Sequence, residues 1–279
     1  MRRDGGDSPP ADARLLEREV RWSARLGGGL GRPLFVYAAL DSAMDAAHAL
    51  AEAGTPAGTC VIAEHQRTGR GRQGRAWMDQ PGDSLLLALV LRPAWPAPRA
   101  GLLSLGAGLA LAQAASPFGV ALALKWPNDV LLAGVARERK VAGLLSEARL
   151  SAGGYRHLVL GMGINVHQRP ADFPRALRGR AASLDEAAGR RLARGELLAA
   201  LLLELEAVLG VLAAADPARD AALLAAWRAR WPHRGRIARD GAGRRLRLLD
   251  VAADGALRVA GPAGEERIEA GELSLELEA

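Results

Sequence analysis

The sequence predicts an α+β protein: a mixed-sheet domain over residues 15–232 and a small all-β domain over 233–279, behind a polar lead at 1–14. Three observations carry this. Between 34 and 166, apolar runs of strand length alternate with turn residues, with helical stretches set among them. Two longer helical stretches follow, at about 191–214 and 217–230. After "WPHRG" (231–235) the segments shorten, alternate and are punctuated by Gly and Asp, which suits a compact β-barrel-like appendage. The 279 residues fit one or two domains of about 100–200 residues each.

In chain order, "LFVYAAL" (34–40) reads as a strand and "SAMDAAHALAEAG" (42–54) as a short helix closed by Gly54. "TCVIAE" (59–64) is a strand. "SLLLALVLR" (84–92) is a continuous apolar run, fit for a strand buried on both faces. "GLLSLGAGLALAQAA" (101–115) has helical length and period. "ALALKW", "DVLL", "VAGLLSEA" and "YRHLVLGMGINV" supply further strands. In the last domain "GRIAR", "RRLRLLDV", "ALRVA", "EERIEA" and "LSLEL" do the same.

Composition excludes several classes. A lone Cys60 forms no internal disulfide, reads as a buried small apolar residue, and no Cys/His cluster has zinc spacing. The most apolar long segment, "LLAALLLELEAVLGVLAAA", is interrupted by Glu204 and Glu206 and reads as an amphipathic helix. The N-terminus lacks the apolar core of a signal peptide, so a cytoplasmic protein is expected. The net charge of +6 could suit nucleic acid, but the arginines are spread over the chain among 31 acidic residues.

The rarest letters are more informative. Of 37 basic residues only Lys125 and Lys140 are lysine, and Asn128 and Asn165 are the only asparagines. A compact ammonium and a planar guanidinium are not exchangeable where a small cation must fit. In a chain that otherwise takes arginine, a retained lysine marks a position where the exchange fails. All four residues fall in "KWPNDV" (125–130), "KVAGLLSE" (140–147) and "GMGINV" (161–166), each at a strand end or adjoining turn. Such a set can handle anions, and Asp129 beside Asn128 fits a magnesium–nucleotide, since that ion takes one or two carboxylates plus phosphate. Alone, each lysine or asparagine reads as surface filler.

The densest motif is "TGRGRQGRAW" (68–77). Gly69, Gly71 and Gly74 formally satisfy the dinucleotide fingerprint, but "RAWMDQPGD" follows where a helix would have to open. The match is coincidental. The glycines instead allow close backbone approach and positive φ. Arg70, Arg72 and Arg75 offer planar donors for carboxylate or phosphate, and Trp77 a face for a base. A solvated basic loop or an RNA contact is the competing reading, although the loop is flanked by core strands.

Together and in this order, "GRGRQGRAW", "KWPNDV", "KVAGLLSE", "GMGINV" and a terminal "GELSL" (271–275) resemble the biotin protein ligases over about residues 35–279. The resemblance implies a class II synthetase-like catalytic domain followed by an SH3-like domain. It implies that biotin and ATP give biotinyl-5′-AMP and pyrophosphate, and that biotin then passes to a lysine of a carboxylase carrier domain. Carried over residue by residue, biotin would meet Ser42, Gln66, Gly69, Arg70, Gly71, Arg72 and Lys140, with Gly143 in the pocket wall. The nucleotide would meet Arg72, Arg75, Trp77, Lys125, Asn128, Asp129 and Asn165, with Mg2+ at Asp129. Arg72 and Lys140 would be catalytic.

Two departures stand out. Ala43 and Met44 follow Ser42 where the family has Thr and Asn, and the spacer "AGVARER" (133–139) is a few residues long. About forty residues precede Ser42, too few for the helix-turn-helix that some members carry, so no operator-DNA binding is expected. A biotin- or adenylate-binding protein without transfer, and a lipoate-type acyl ligase, are the alternatives. The sequence leaves monomer and homodimer open.

Overall fold

The computed structural model describes residues 29–96, 99–151, 154–269 and 276–277. The expected lead at 1–14 and the "GELSL" segment lie outside the described residues. A seven-stranded sheet runs in the order β1 (Leu34–Tyr37), β2 (Cys60–Ala63), β3 (Ser84–Leu91), β7 (Gly154–Asn165), β6 (Lys140–Ser151), β5 (Asp129–Leu132), β4 (Leu122–Lys125). Among the described strands of this sheet only β1 and β2 pair in parallel, so the sheet is mixed as expected.

All eight residues of β3 are buried. Leu85, Leu87, Leu89 and Leu91 join one core cluster, while Leu86, Ala88 and Val90 join another. Side chains alternate across a strand, so this continuous apolar run is apolar because both faces of its sheet are covered. Helix α1 (Ala43–Glu52) covers the second face through Ala43, Met44, Ala47 and Ala51. Its N-cap Ser42 accepts from the Asp45 amide at 3.4 Å. Helices α2 (Ala100–Ala115), α4 (Arg194–Ala214) and α5 (Pro217–Arg228) supply residues to the cluster on the first face.

Sequence alone misses α3 (Leu184–Ala188), five residues capped by Ser183 and too short for periodicity to register. The first strand stops at Tyr37 rather than residue 40; Leu40 keeps only an isolated bridge to Gln66. By length and composition, α2 with its extension to Phe118, and α4, could each cross a membrane. Here they pack on each other. A Cβ added at Gly106 would lie 2.5 Å from Val208 Cγ1, so α2 needs glycine there for close approach.

The C-terminal sheet is antiparallel, in the order β11 (Gly264–Ile268), β10 (Leu257–Gly261), β9 (Arg245–Val251), β8 (Ile237–Arg239), β12 (Glu276–Leu277). It meets the larger sheet at the turn that follows β4. Trp126 Nε1 donates to the Gly255 carbonyl at 3.0 Å.

Two buried polar clusters serve the framework. Arg194 at the start of α4 donates to Glu64 Oε2 at 2.8 Å and to the Ser84 carbonyl at 3.0 Å, with both charged side chains almost wholly buried. His48 Nδ1 on α1 lies 2.9 Å from His157 Nε2 on β7, and His48 Nε2 lies 3.3 Å from Glu147. Burial lowers the pKa of both histidines; Arg149 adds to this for His48, against the raising effect of Glu147. A His with a depressed folded pKa favours folding only while neutral. Its contribution is complete above the unfolded value near 6.5 and is lost as pH falls through the folded value. The melting midpoint should therefore drop between about pH 7.5 and about pH 5, and a His48→Gln/His157→Leu variant should drop less. Parallel pH curves for the two proteins would refute this.

Candidate active site

The Gly-Arg loop joins β2 to β3, so both its ends are anchored in the sheet. Its hairpin is closed by the Gly71 amide on the Arg75 carbonyl, 2.7 Å, and the Trp77 amide on the Gly69 carbonyl, 2.8 Å. The expectation of positive φ at the glycines holds only for Gly74, at 70°, and Gln73 beside it also sits at 56°. Gly71 has extended backbone. Gly69 is required for another reason: a Cβ there would meet the Trp77 carbonyl at 3.1 Å and Gln66 Nε2 at 3.0 Å.

Arg70 ties the loop down. Its guanidinium donates to both Asp45 oxygens at 2.7 and 2.6 Å and, through Nε, to Glu147 at 3.3 Å. A fork of donors matches a carboxylate in this bidentate way. The Arg70 hydrogen bonds hold the Asp45 carboxyl below the ordinary carboxylate range, overcoming the raising effect of burial. Gln66 Oε1 accepts from the Ala43 amide at 2.7 Å, joining the loop to α1 a second time.

Facing the loop are the strand ends. Asn128 sits in the turn between β4 and β5. It accepts from Arg72 Nη1 at 3.2 Å and donates to the Leu144 carbonyl at 2.6 Å, so one amide bridges loop and sheet. Burial lowers the Arg72 pKa, with Asp129 acting in the opposite sense. Lys140 opens β6, with its ammonium 2.6 Å from Asp129 and 5.5 Å from the centre of the Trp77 ring. Lys125 closes β4 and pairs with Glu138 at 2.7 Å.

Glycines on β6 and β7 make the floor. An added Cβ would come within 2.6 Å of the Trp77 ring at Gly163, within 3.1 Å of that ring at Gly143, and 2.6 Å from Met44 Sδ at Gly161. Inside strands, glycine marks a close approach, and here the approaching groups are an indole and a thioether.

A cavity of about 730 Å3 lies between loop and floor. Every expected site residue lines it except Gly69, which braces the loop from behind. Ser42 is almost fully buried and engaged as the α1 cap, and the Asn165 amide donates to the Ala182 carbonyl at 3.1 Å. Sequence reasoning missed Met44 as a floor contact, Asp45 and Glu147 as partners of Arg70, and Glu138 as the partner of Lys125. The alternating glycines of "GMGIN" are the one signal that could have revealed the floor.

A mixed sheet with its cations gathered at one glycine-floored cavity defines a pocket for an anionic ligand with a planar or apolar body. Residues 37–165 match the biotin/lipoate A/B protein ligase family. The chain is 35% identical over 204 residues to the bifunctional ligase/repressor BirA of Bacillus subtilis, which covers 73% of this chain and 61% of that relative. To the biotin–[acetyl-CoA-carboxylase] ligase of Mycobacterium tuberculosis it is 38% identical over 173 residues, 59% of each chain. It thus spans about three fifths of these relatives. Its fold matches a structure of the biotin protein ligase of Aquifex aeolicus in complex with biotin and ATP, with a TM-score of 0.73 and 27% identity over 88% of this chain and 99% of that one.

Proposed function

We propose that the chain is a biotin protein ligase, which condenses biotin with ATP to biotinyl-5′-AMP and pyrophosphate and passes the biotinyl group to a lysine of a carboxylase carrier domain. The observation that carries this is the convergence of four separated sequence motifs on one 730 Å3 cavity. The relatives are named for the same reaction class. Lipoate-type chemistry is disfavoured by the Gly-Arg loop together with those names.

The proposed division of labour follows the resemblance. Ser42, Gln66, Arg70, Gly71, Arg72, Lys140 and Gly143 face biotin, while Arg72, Arg75, Trp77, Lys125, Asn128, Asp129 and Asn165 face the nucleotide. A biotin carboxylate oxygen attacks the α-phosphorus as pyrophosphate leaves. Both reactants are anions, so the chain has to neutralise their repulsion and hold them in line. Arg72 and Lys140 do this from opposite sides. In the second step the acceptor lysine attacks the biotinyl carbonyl and AMP leaves. The Gly-Arg loop, clasped by Asp45 and Glu147, keeps water from the mixed anhydride until then.

Mg2+ would be held by the nucleotide phosphates with Asp129. Such an ion takes one or two carboxylates together with the substrate's phosphates. It would supply charge neutralisation. Ala43 and Met44 replace hydrogen-bonding groups with apolar ones, which should cost biotin about 1–3 kcal/mol per lost bond. The catalytic unit would span residues 15–232, with an SH3-like domain at 233–279, and the enzyme would work in the cytoplasm as a monomer or homodimer.

The test is transfer of biotin to a carrier domain in the presence of ATP and magnesium, with lipoate as control. Biotin-dependent pyrophosphate release with labelled carrier is the expected result. Pyrophosphate release without transfer would favour an adenylate-binding protein, and labelling by lipoate alone would overturn the substrate.

A further inference from the structure

Glu138 belongs to the long spacer between β5 and β6 that the resemblance leaves unexplained. Its carboxylate lines the cavity and is gripped at both oxygens: Oε2 lies 2.7 Å from Lys125 Nζ, and Oε1 lies 2.5 Å from His233 Nε2. The His233 ring is buried, and its Nδ1 has no hydrogen-bond partner among the described residues. A carboxylate only accepts, so His233 Nε2 is the donor of this contact. His233 begins the segment that leads into the C-terminal sheet, and Trp126, next to Lys125, is bonded to Gly255 of that same segment. Burial alone would raise the Glu138 pKa, but the hydrogen bonds from His233 and Lys125 outweigh it and bring the carboxyl down to about 2. The group is an anion throughout the working pH range.

We propose that Glu138 is a positioning residue that sets nucleotide affinity: its carboxylate, held by His233 of the C-terminal segment, shares the Lys125 ammonium with the phosphates of the incoming nucleotide. This rests on the reading of Lys125 as a nucleotide contact. An ammonium has three donors and can touch both anions. The two anions, one fixed by the fold and one brought by the ligand, compete for the charge of that single ammonium. Glu138 therefore weakens nucleotide and pyrophosphate binding alike, and ties that weakening to the position of the C-terminal domain. Biotin, recognised away from this corner, is unaffected.

The experiment is calorimetric titration of the full chain with Mg-ATP, with inorganic pyrophosphate and with biotin. Glu138→Gln is expected to bind the first two about tenfold more tightly, equivalent to about 1.4 kcal/mol, with the biotin affinity unchanged. In a Lys125→Met background the same substitution should give no gain, because the shared cation is gone. Unchanged or weaker binding of Mg-ATP and pyrophosphate by a folded Glu138→Gln protein overturns the proposal. If that variant melts early, Glu138→Ser removes the same charge and is read in the same way. A wild-type chain that binds neither Mg-ATP nor pyrophosphate overturns the nucleotide reading itself, and this inference with it.

Discussion

Replacing Lys140 with alanine is expected to lower biotinyl-5′-AMP formation by about 10²–10³, the loss that follows removal of one aimed donor from a developing anion. The ammonium sits where loop, floor and strand end meet, 2.6 Å from Asp129 and 5.5 Å from the Trp77 ring centre. Its removal deletes the charge that the proposed reaction sets against the reacting oxygens and leaves Asp129 without its ion pair to Lys140, so the repulsion between carboxylate and phosphate should rise on two counts. Arginine should not rescue the variant. A Cβ at Gly143 would already fall 2.9 Å from Lys140 Nζ and 3.1 Å from Trp77, so a guanidinium has no room to lie flat there. Pyrophosphate release with biotin and ATP is the measurement, beside a melting curve to show that the fold survives. Wild-type release by Lys140→Ala would remove Lys140 from the chemistry.

The same residue shows what the sequence could and could not disclose. Its rarity was visible at once, because a composition that converts nearly every basic position to arginine exposes the positions that resist. The strand pattern was equally visible: β3 is apolar at every position because both its faces are covered. Pairing across the chain was not. The Arg70 clasp joins residues 25 and 77 positions apart, and the Glu138 to His233 contact spans 95. No local periodicity encodes such contacts, since they depend on how elements come together in space. The sequence singled out the cations and Asp129, but it was silent on Asp45, Glu147 and Glu138, the other carboxylates that hold them. It could not show that Gly69 is needed for loop packing, because a glycine needed for packing and one needed for ligand approach look alike as letters.

The buried ion pair of Glu64 and Arg194 was equally hidden, 130 residues apart. Arg194→Met is expected to destabilise the protein by about 3–5 kcal/mol, the usual consequence of leaving one member of a buried pair uncompensated. For a chain of this size that corresponds to a melting point lower by roughly 6–20 °C. The penalty belongs to the stranded Glu64 more than to the lost attraction. A Glu64→Gln/Arg194→Met double variant should therefore regain much of the loss, although each single change removes the same contact. The effect should also reach the site. Glu64 follows directly on β2, and its carbonyl accepts from the Gly82 amide at 3.0 Å, closing the base of the Gly-Arg loop. A carboxylate seeking water at that point would pull on both ends of the loop at once. Arg194→Met should then release adenylate faster than the double variant when both are assayed well below their melting points. Equal release rates would separate the stability of the fold from the hold of the loop.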